Sequence, residues 1–261
     1  MIPKIIHQTW KTNNIPDEWK NAVNSCKIIN NDFTYILWTH ETMDIFVKEN
    51  YPDLYTIYKS YKHDIQRCDA FRYLVLYKYG GVYLDMDIIC KKNLNNLLHF
   101  DLVLAKSSNI ETTFTNSFFM VVPNHPFFKY CIDNLADYKD NFQYFGKHLH
   151  VMNSTGPLFL TNLVNHYGKI PNYYILTKKE YAGDCNICNE TICNGGTYFT
   201  HIPGNTWHGL DSTIYNFVFC NKKIIGLTIF FLICIIFYIF YKKKQRIFTQ
   251  YFKATRKRIS F

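Results

Sequence analysis

Short apolar runs alternate with segments of helical spacing through the first 170 residues of the chain. Pro3–Trp10 begins as a short apolar strand and leaves it at polar residues. Pro16–Asn30 carries apolar residues at helical intervals, and Tyr35–Trp38 reads as a second strand. Glu41–Glu49 and Leu54–Tyr61 read as helices divided at Pro52. Gln66–Tyr79 is the strongest helical segment. Ala70, Phe71, Leu74, Val75 and Tyr77 supply its apolar face, and Gly80-Gly81 ends it. Val82–Leu84, Leu102–Ala105 and Phe118–Val122 follow as strands, with helical segments over Phe127–Tyr138 and Pro157–His166. Strands alternating with helices predict an α/β fold around a mostly parallel sheet. No internal repeat interrupts this order.

The pattern changes at Ile224–Tyr241, which holds no charged residue. As a helix it would span about 27 Å, near the thickness of a thin bilayer core. Tyr238 and Tyr241 sit at one end, where aromatic rings favour the interface, and lysines flank both ends. The reading is one domain over 1–210, a linker over 211–223, a single transmembrane helix over 224–241 and a basic tail over 242–261. The formal charge of +9 belongs to that tail and to Lys222-Lys223, and the first 221 residues are close to neutral. Nucleic-acid binding by the domain is therefore not expected.

An endomembrane protein with a C-terminal anchor follows, and its membrane face stays open. The basic tail favours a cytoplasmic C-terminus and a domain outside or in a lumen. The start at Met1-Ile2-Pro3-Lys4 shows no signal-peptide pattern, which favours a cytosolic domain. Cys185, Cys188 and Cys193 form a cluster suited to a disulfide, reduced thiols or zinc.

The candidate chemistry lies at Gly80-Gly81-Val82-Tyr83-Leu84-Asp85-Met86-Asp87. A glycine pair leads into a short apolar strand that ends in two carboxylates one residue apart. Alternation along a strand sends Asp85 and Asp87 to the same face. Two such charges repel unless a cation or a hydrogen-bonding ligand lies between them. Oxygen ligation suits a hard ion such as Mg²⁺ or Mn²⁺, and these ions grip phosphates. A phosphatase of the haloacid dehalogenase type also places Asp-x-Asp after a strand. It puts Thr or Val two residues beyond the second Asp, where this chain has Ile89, and it has the motif near the start of the chain. Asp69 and Arg72 stand at i and i+3 on the helix feeding the glycine pair, so they share a face and approach the end of the strand.

Three elements together resemble glycosyltransferase family 32, the sugar transferases containing DXD motifs. They are Ile2–Trp10, Asp69-Ala70-Phe71-Arg72-Tyr73 and Tyr79–Asp87. Asn124-His125-Pro126, Thr155-Gly156-Pro157, His201 and Thr206-Trp207 extend the match over roughly residues 1–210. The resemblance implies a GT-A fold, a Rossmann-like nucleotide-diphospho-sugar transferase domain. It also implies a nucleotide-sugar donor (GDP-mannose or a UDP-hexose), a Mn²⁺-type metal and retention of anomeric configuration. It gives Asp87 the metal and Asp85 the donor hydroxyls and the metal's water. Asp69 and Arg72 would hold the donor sugar, and Gln8 and Trp10 the donor, with Trp10 stacked on the base. Trp207, Thr206 and His201 would close over the diphosphate, with His201 completing the metal shell and His208 competing for that place. The expected activity is transfer of a hexose, mannose favoured, to a glycan or glycolipid acceptor at a membrane. The alternative is an inactive relative that only binds glycans or a partner.

Overall fold

The computed structural model describes residues 1–107, 112–183, 188, 195–202 and 207–258, with side chains as far as residue 244. Among the described residues there are eight strands: β1 (Ile5–Thr9), β2 (Thr34–Trp38), β3 (Gly81–Leu84), β4 (Ile88–Cys90), β5 (Leu102–Lys106), β6 (Phe114–Val121), β7 (Tyr173–Leu176) and β8 (Phe199–His201). The helices are α1 (Asp17–Ile29), α2 (His40–Asn50), α3 (Pro52–Ser60), α4 (Asp64–Tyr79), α5 (Pro126–Asp133), α6 (Leu135–Tyr138), α7 (Lys147–Ser154), α8 (Pro157–Tyr167), α9 (Lys178–Tyr181), α10 (Leu210–Cys220) and α11 (Lys222–Arg258). The chain forms two compact units, Met1–Thr213 and Ile214–Phe261.

The first unit is built on a six-stranded sheet of order β2-β1-β3-β6-β5-β7. Only β6 runs against the others, pairing antiparallel with both β3 and β5. The mostly parallel sheet expected from the alternation of elements is therefore present, with one reversed strand inside it. Both faces are covered. Tyr83, Leu102, Leu104, Phe119 and Val121 enter one apolar cluster, which includes residues of α2, α4, α5 and α8. Their neighbours Val82, Leu84, Val103, Ala105, Phe118 and Met120 enter the other, with Cys26 of α1 and Tyr181 of α9. This period-2 sorting explains why the central strands read as continuous apolar runs.

A second, two-stranded sheet pairs β4 with β8 in antiparallel register, Ile88 opposite His201. Neither strand stands out in the sequence, because each has three residues. A disulfide from Cys26 in α1 to Cys90 anchors this small sheet. Closing a loop of that length contributes about 4 kcal/mol by the chain-entropy estimate. Of the cysteine cluster, Cys185 and Cys193 lie outside the described residues.

The glycine pair is required by space as well as by backbone. Gly80 and Gly81 have φ of 64° and 100°. A Cβ on Gly81 would meet the Ile5 carbonyl oxygen at 2.6 Å, and one on Gly80 would meet Pro123 at 2.7 Å. His7 locks the same corner. Its Nδ1 accepts from Trp38 Nε1 at 3.1 Å and its Nε2–H donates to the Gly80 carbonyl at 3.0 Å. That pattern admits only the neutral ring, since a protonated Nδ1 would face the Trp38 N–H.

In the second unit, α11 contains the apolar stretch read above as an anchor. Among the described residues, Lys222–Lys244 is long and apolar enough to cross a membrane, and none of it is buried. Most of the expected linker is helical, as part of α10.

Burial lowers the His7 pKa to about 4 from an ordinary 6.5. The unfolded chain therefore takes up the proton first, and stability falls as pH drops from 6.5 towards 4. Urea unfolding should show His7→Gln losing a step of about 3 kcal/mol in that window relative to the parent. Equal pH slopes in the two proteins would refute the neutral-ring lock.

Candidate active site

The end of β3 delivers Asp85 into a cluster centred on a buried guanidinium. Arg72 reaches it from the middle of α4 and is 2% exposed. Its Nη2 lies 2.7 Å from Asp69 Oδ1 and its Nη1 lies 3.4 Å from Asp85 Oδ1. Nη1 also donates to the Asn116 carbonyl of β6, and the guanidinium sits 4.5 Å from the centre of the Tyr83 ring. Burial opposes the charge, but Asp85 and Asp69 outweigh it and raise the Arg72 pKa above the ordinary arginine value. Asp69, one turn earlier on α4, is equally buried and accepts from Thr155 Oγ1 at 3.2 Å.

Asp85 is oriented from its own strand. Tyr83, two residues earlier and on the same face, donates its hydroxyl to Asp85 Oδ1 at 2.9 Å. With that proton committed, Thr9 Oγ1 donates to the Tyr83 oxygen at 3.0 Å. Gln8 holds the backbone: its amide donates to the Asp85 carbonyl at 3.2 Å and accepts from Tyr35 at 2.9 Å. Gln8 is fully buried and does not line the cleft, so the structure gives it a supporting position behind Asp85.

Asp87 differs. Its Oδ2 is 3.4 Å from His201 Nε2, brought there by the β4–β8 pairing. Its Oδ1 is buried without a hydrogen-bond partner. Burial pushes the Asp87 pKa up to about 6, with His201 pulling down and Asp85 adding to the rise. Burial likewise pushes Asp69 up to about 6 against the pull of Arg72. Three carboxylates thus share one guanidinium, and the excess negative charge with an orphaned oxygen suits a divalent cation. No three metal-ligating side chains converge closely among the described residues. The fitting donor set is Asp87 and His201, with Asp85 nearby.

These groups lie in or beside a cleft of about 480 Å³ lined by Thr9, Trp10, Trp19, His40, Cys68, Arg72, Asp85, Met86, Asp87 and Trp207, with Lys11, Lys62, His63 and Lys147 also contributing. Trp10, leaving β1, faces the cleft and packs with Trp19 and Met86. Trp207 lines it too, and its ring lies parallel to that of His148 at 5.5 Å. Asp69 stays behind Arg72, His201 stays behind Asp87, and Thr206 lies outside the described residues. Sequence reasoning passed over Tyr83, Thr9 and Thr155 as site groups. Tyr83 carried a readable signal, its place two residues before Asp85, whereas Thr9 and Thr155 meet the site only through the tertiary fold.

Residues 16–104 match the family model described as glycosyltransferase sugar-binding region containing DXD motif. Inositol phosphoceramide mannosyltransferase 1 of Schizosaccharomyces pombe is 38% identical over 227 residues, 85% of this chain and 67% of that protein. A mannosyl phosphorylinositol ceramide synthase of Saccharomyces cerevisiae is 42% identical over 218 residues, 82% of this chain and 54% of that protein. An uncharacterized glycosyltransferase of Acanthamoeba polyphaga mimivirus is 32% identical over 217 residues, 79% of this chain and 84% of that protein. The chain thus spans about two thirds of the fission-yeast relative and about half of the budding-yeast one. With the carboxylate pair at the end of β3, a sheet covered on both faces and this breadth of identity, the chain belongs to the glycosyltransferase family defined by the DXD motif.

Proposed function

We infer that the protein transfers a hexose, mannose in our reading, from a nucleoside-diphosphate sugar to a membrane glycolipid, with retention of configuration. The observation that carries this is the division of labour at the end of β3. Asp85 is held by Tyr83 and Arg72, while Asp87, which lines the cleft, keeps one buried oxygen without a hydrogen-bond partner. Asp87 and His201, with Asp85 alongside, would hold Mn²⁺ or Mg²⁺. When bound, the ion supplies Lewis-acid neutralisation of the departing diphosphate.

The chain's own groups do the positioning. Arg72 keeps an Nε–H without a partner and faces the cleft, so it is our candidate donor to the sugar hydroxyls. Asp69 acts through Arg72 by fixing its fork. Trp10 offers a flat apolar face for the base, which makes GDP-mannose or a UDP-hexose a suitable donor. Asp64, the third carboxylate lining the cleft, pairs with Arg67. Asp64, Asp85 and Asp87 are then all committed to other roles, and the acceptor hydroxyl attacking the leaving group's own face accounts for retention. The Cys26–Cys90 disulfide supports placing the first unit in an oxidising lumen of the endomembrane system.

Release of nucleoside diphosphate from a panel of donors tests this reading. Full-length protein should lose turnover with a chelator and regain it with Mn²⁺. Asp87→Ala should cost on the order of 10²–10³ in kcat. Chelator-indifferent turnover would refute the metal assignment, and no turnover of any donor would favour a binding-only relative. Trp10→Ala should raise the donor KM roughly 10-fold or more, while Trp10→Phe keeps most of the affinity. An unchanged KM in Trp10→Ala would remove the stacking role.

A further inference from the structure

The stretch read from the sequence as a linker begins as a brace on α7. Asp211 and Ser212, at the opening of α10, belong to the first unit and bond to His148 in the first turn of α7. That helix starts at Gly146, which has no side chain to cap it. Asp211 supplies the cap from 63 residues away, its Oδ2 accepting from the His148 backbone N–H at 2.6 Å. A carboxylate is favoured there by the free N–H groups and by the helix dipole. The same bond holds the Asp211 carboxyl below its ordinary range, so the cap carries its charge. The close approach requires glycine at position 146, which has φ 95° and where a Cβ would lie 3.0 Å from that oxygen.

His148 carries this brace to the cleft. Its side chain is buried, and Nδ1 is hydrogen-bonded to the equally buried Ser212 Oγ at 3.0 Å. The Trp207 ring lies parallel to the His148 ring, with 16° between planes and 5.5 Å between centres. His208 meets the same indole edge-on at 4.4 Å. Ser212 also closes the turn that follows, donating its N–H to the Gly209 carbonyl at 3.1 Å and accepting from the Gly209 N–H on Oγ at 3.4 Å. Trp207 is therefore held twice, by the ring it stacks on and by the short turn that ties its segment to that ring. It lines the cleft together with Trp10, Arg72, Asp85 and Asp87.

We propose that Asp211 and His148 are positioning residues for the nucleoside-diphosphate donor, acting through Trp207. Together they set the indole in the cleft wall before any ligand arrives. A side chain fixed beforehand loses little freedom on binding, so loosening it weakens the ligand that packs against it. The purpose of this brace rests on the transferase reading, whereas its hold on Trp207 does not and is measured separately.

The test uses full-length protein in detergent micelles, labelled with fluorinated tryptophan and followed by fluorine NMR, with Trp207→Phe identifying the Trp207 line. That line should shift and broaden in Asp211→Ala and in His148→Ala. It should stay near the parent's in Asp211→Asn, which keeps a carbonyl acceptor for the helix end. Affinity for GDP or UDP with Mn²⁺, read by calorimetry, should fall roughly 5-fold in Asp211→Ala and return to within about 2-fold of the parent in Asp211→Asn. A lower urea-unfolding midpoint in Asp211→Ala, with the Trp207 line and nucleotide affinity both unchanged, would make Asp211 a helix cap alone and overturn the proposal. A displaced line with unchanged affinity overturns it as well. If the parent binds neither nucleotide while the line moves as expected, the transferase reading fails and the hold on Trp207 stands.

Discussion

Everything at this site is arranged around one buried cation. A guanidinium taken out of water costs several kcal/mol unless its charge and its N–H groups are met. Arg72 is met by Asp69 from its own helix, by Asp85 at the end of β3 and by the Asn116 carbonyl of β6. These partners come from three elements, so the ion cluster ties α4 to the sheet at the point where β3 releases its carboxylates. Removing either carboxylate would still leave Arg72 a charged partner, and the geometry is therefore over-determined. That rigidity lets Asp87 remain uncompensated two residues later.

The second constraint is the turn between α4 and β3. Gly80 and Gly81 bring the helix's end against Pro123 and Ile5 more closely than any Cβ would allow. His7 then clamps the Gly80 carbonyl, and Trp38 clamps His7. Beyond the carboxylates, the disulfide holds β4 to α1, and β4 holds His201 beside Asp87. The motif is thus braced on both sides, by sterics before it and by a covalent link after it.

How much of this was legible beforehand follows from the range of each interaction. The i, i+3 pairing of Asp69 with Arg72 and the shared face of Asp85 and Asp87 are local periodicities, and both could be read directly. The helix ended by Gly80-Gly81 was equally plain. The Cys26–Cys90 link, 64 residues apart, and the β4–β8 pairing could not be read, since strands of three residues carry no periodic signal. Gln8 illustrates the limit most clearly. The family resemblance implied a donor contact for it, yet a polar residue at a strand's end can equally turn inward. Here Tyr35 and the Asp85 backbone satisfy its amide. The reversed direction of β6 was hidden for a similar reason, because strand orientation depends on connections rather than composition.

The charge distribution along the cleft also constrains how substrates enter. Asp69, Asp85 and Asp87 outnumber Arg72, and burial, with a smaller push from Asp85, raises the pKa values of Asp69 and Asp87. Such a surface repels a bare diphosphate and accepts one whose charge is already masked. Lys62 and Lys147 line the same cleft and carry the opposite sign. The lining thus presents both charges, and the charge a ligand carries decides which of these groups it meets favourably.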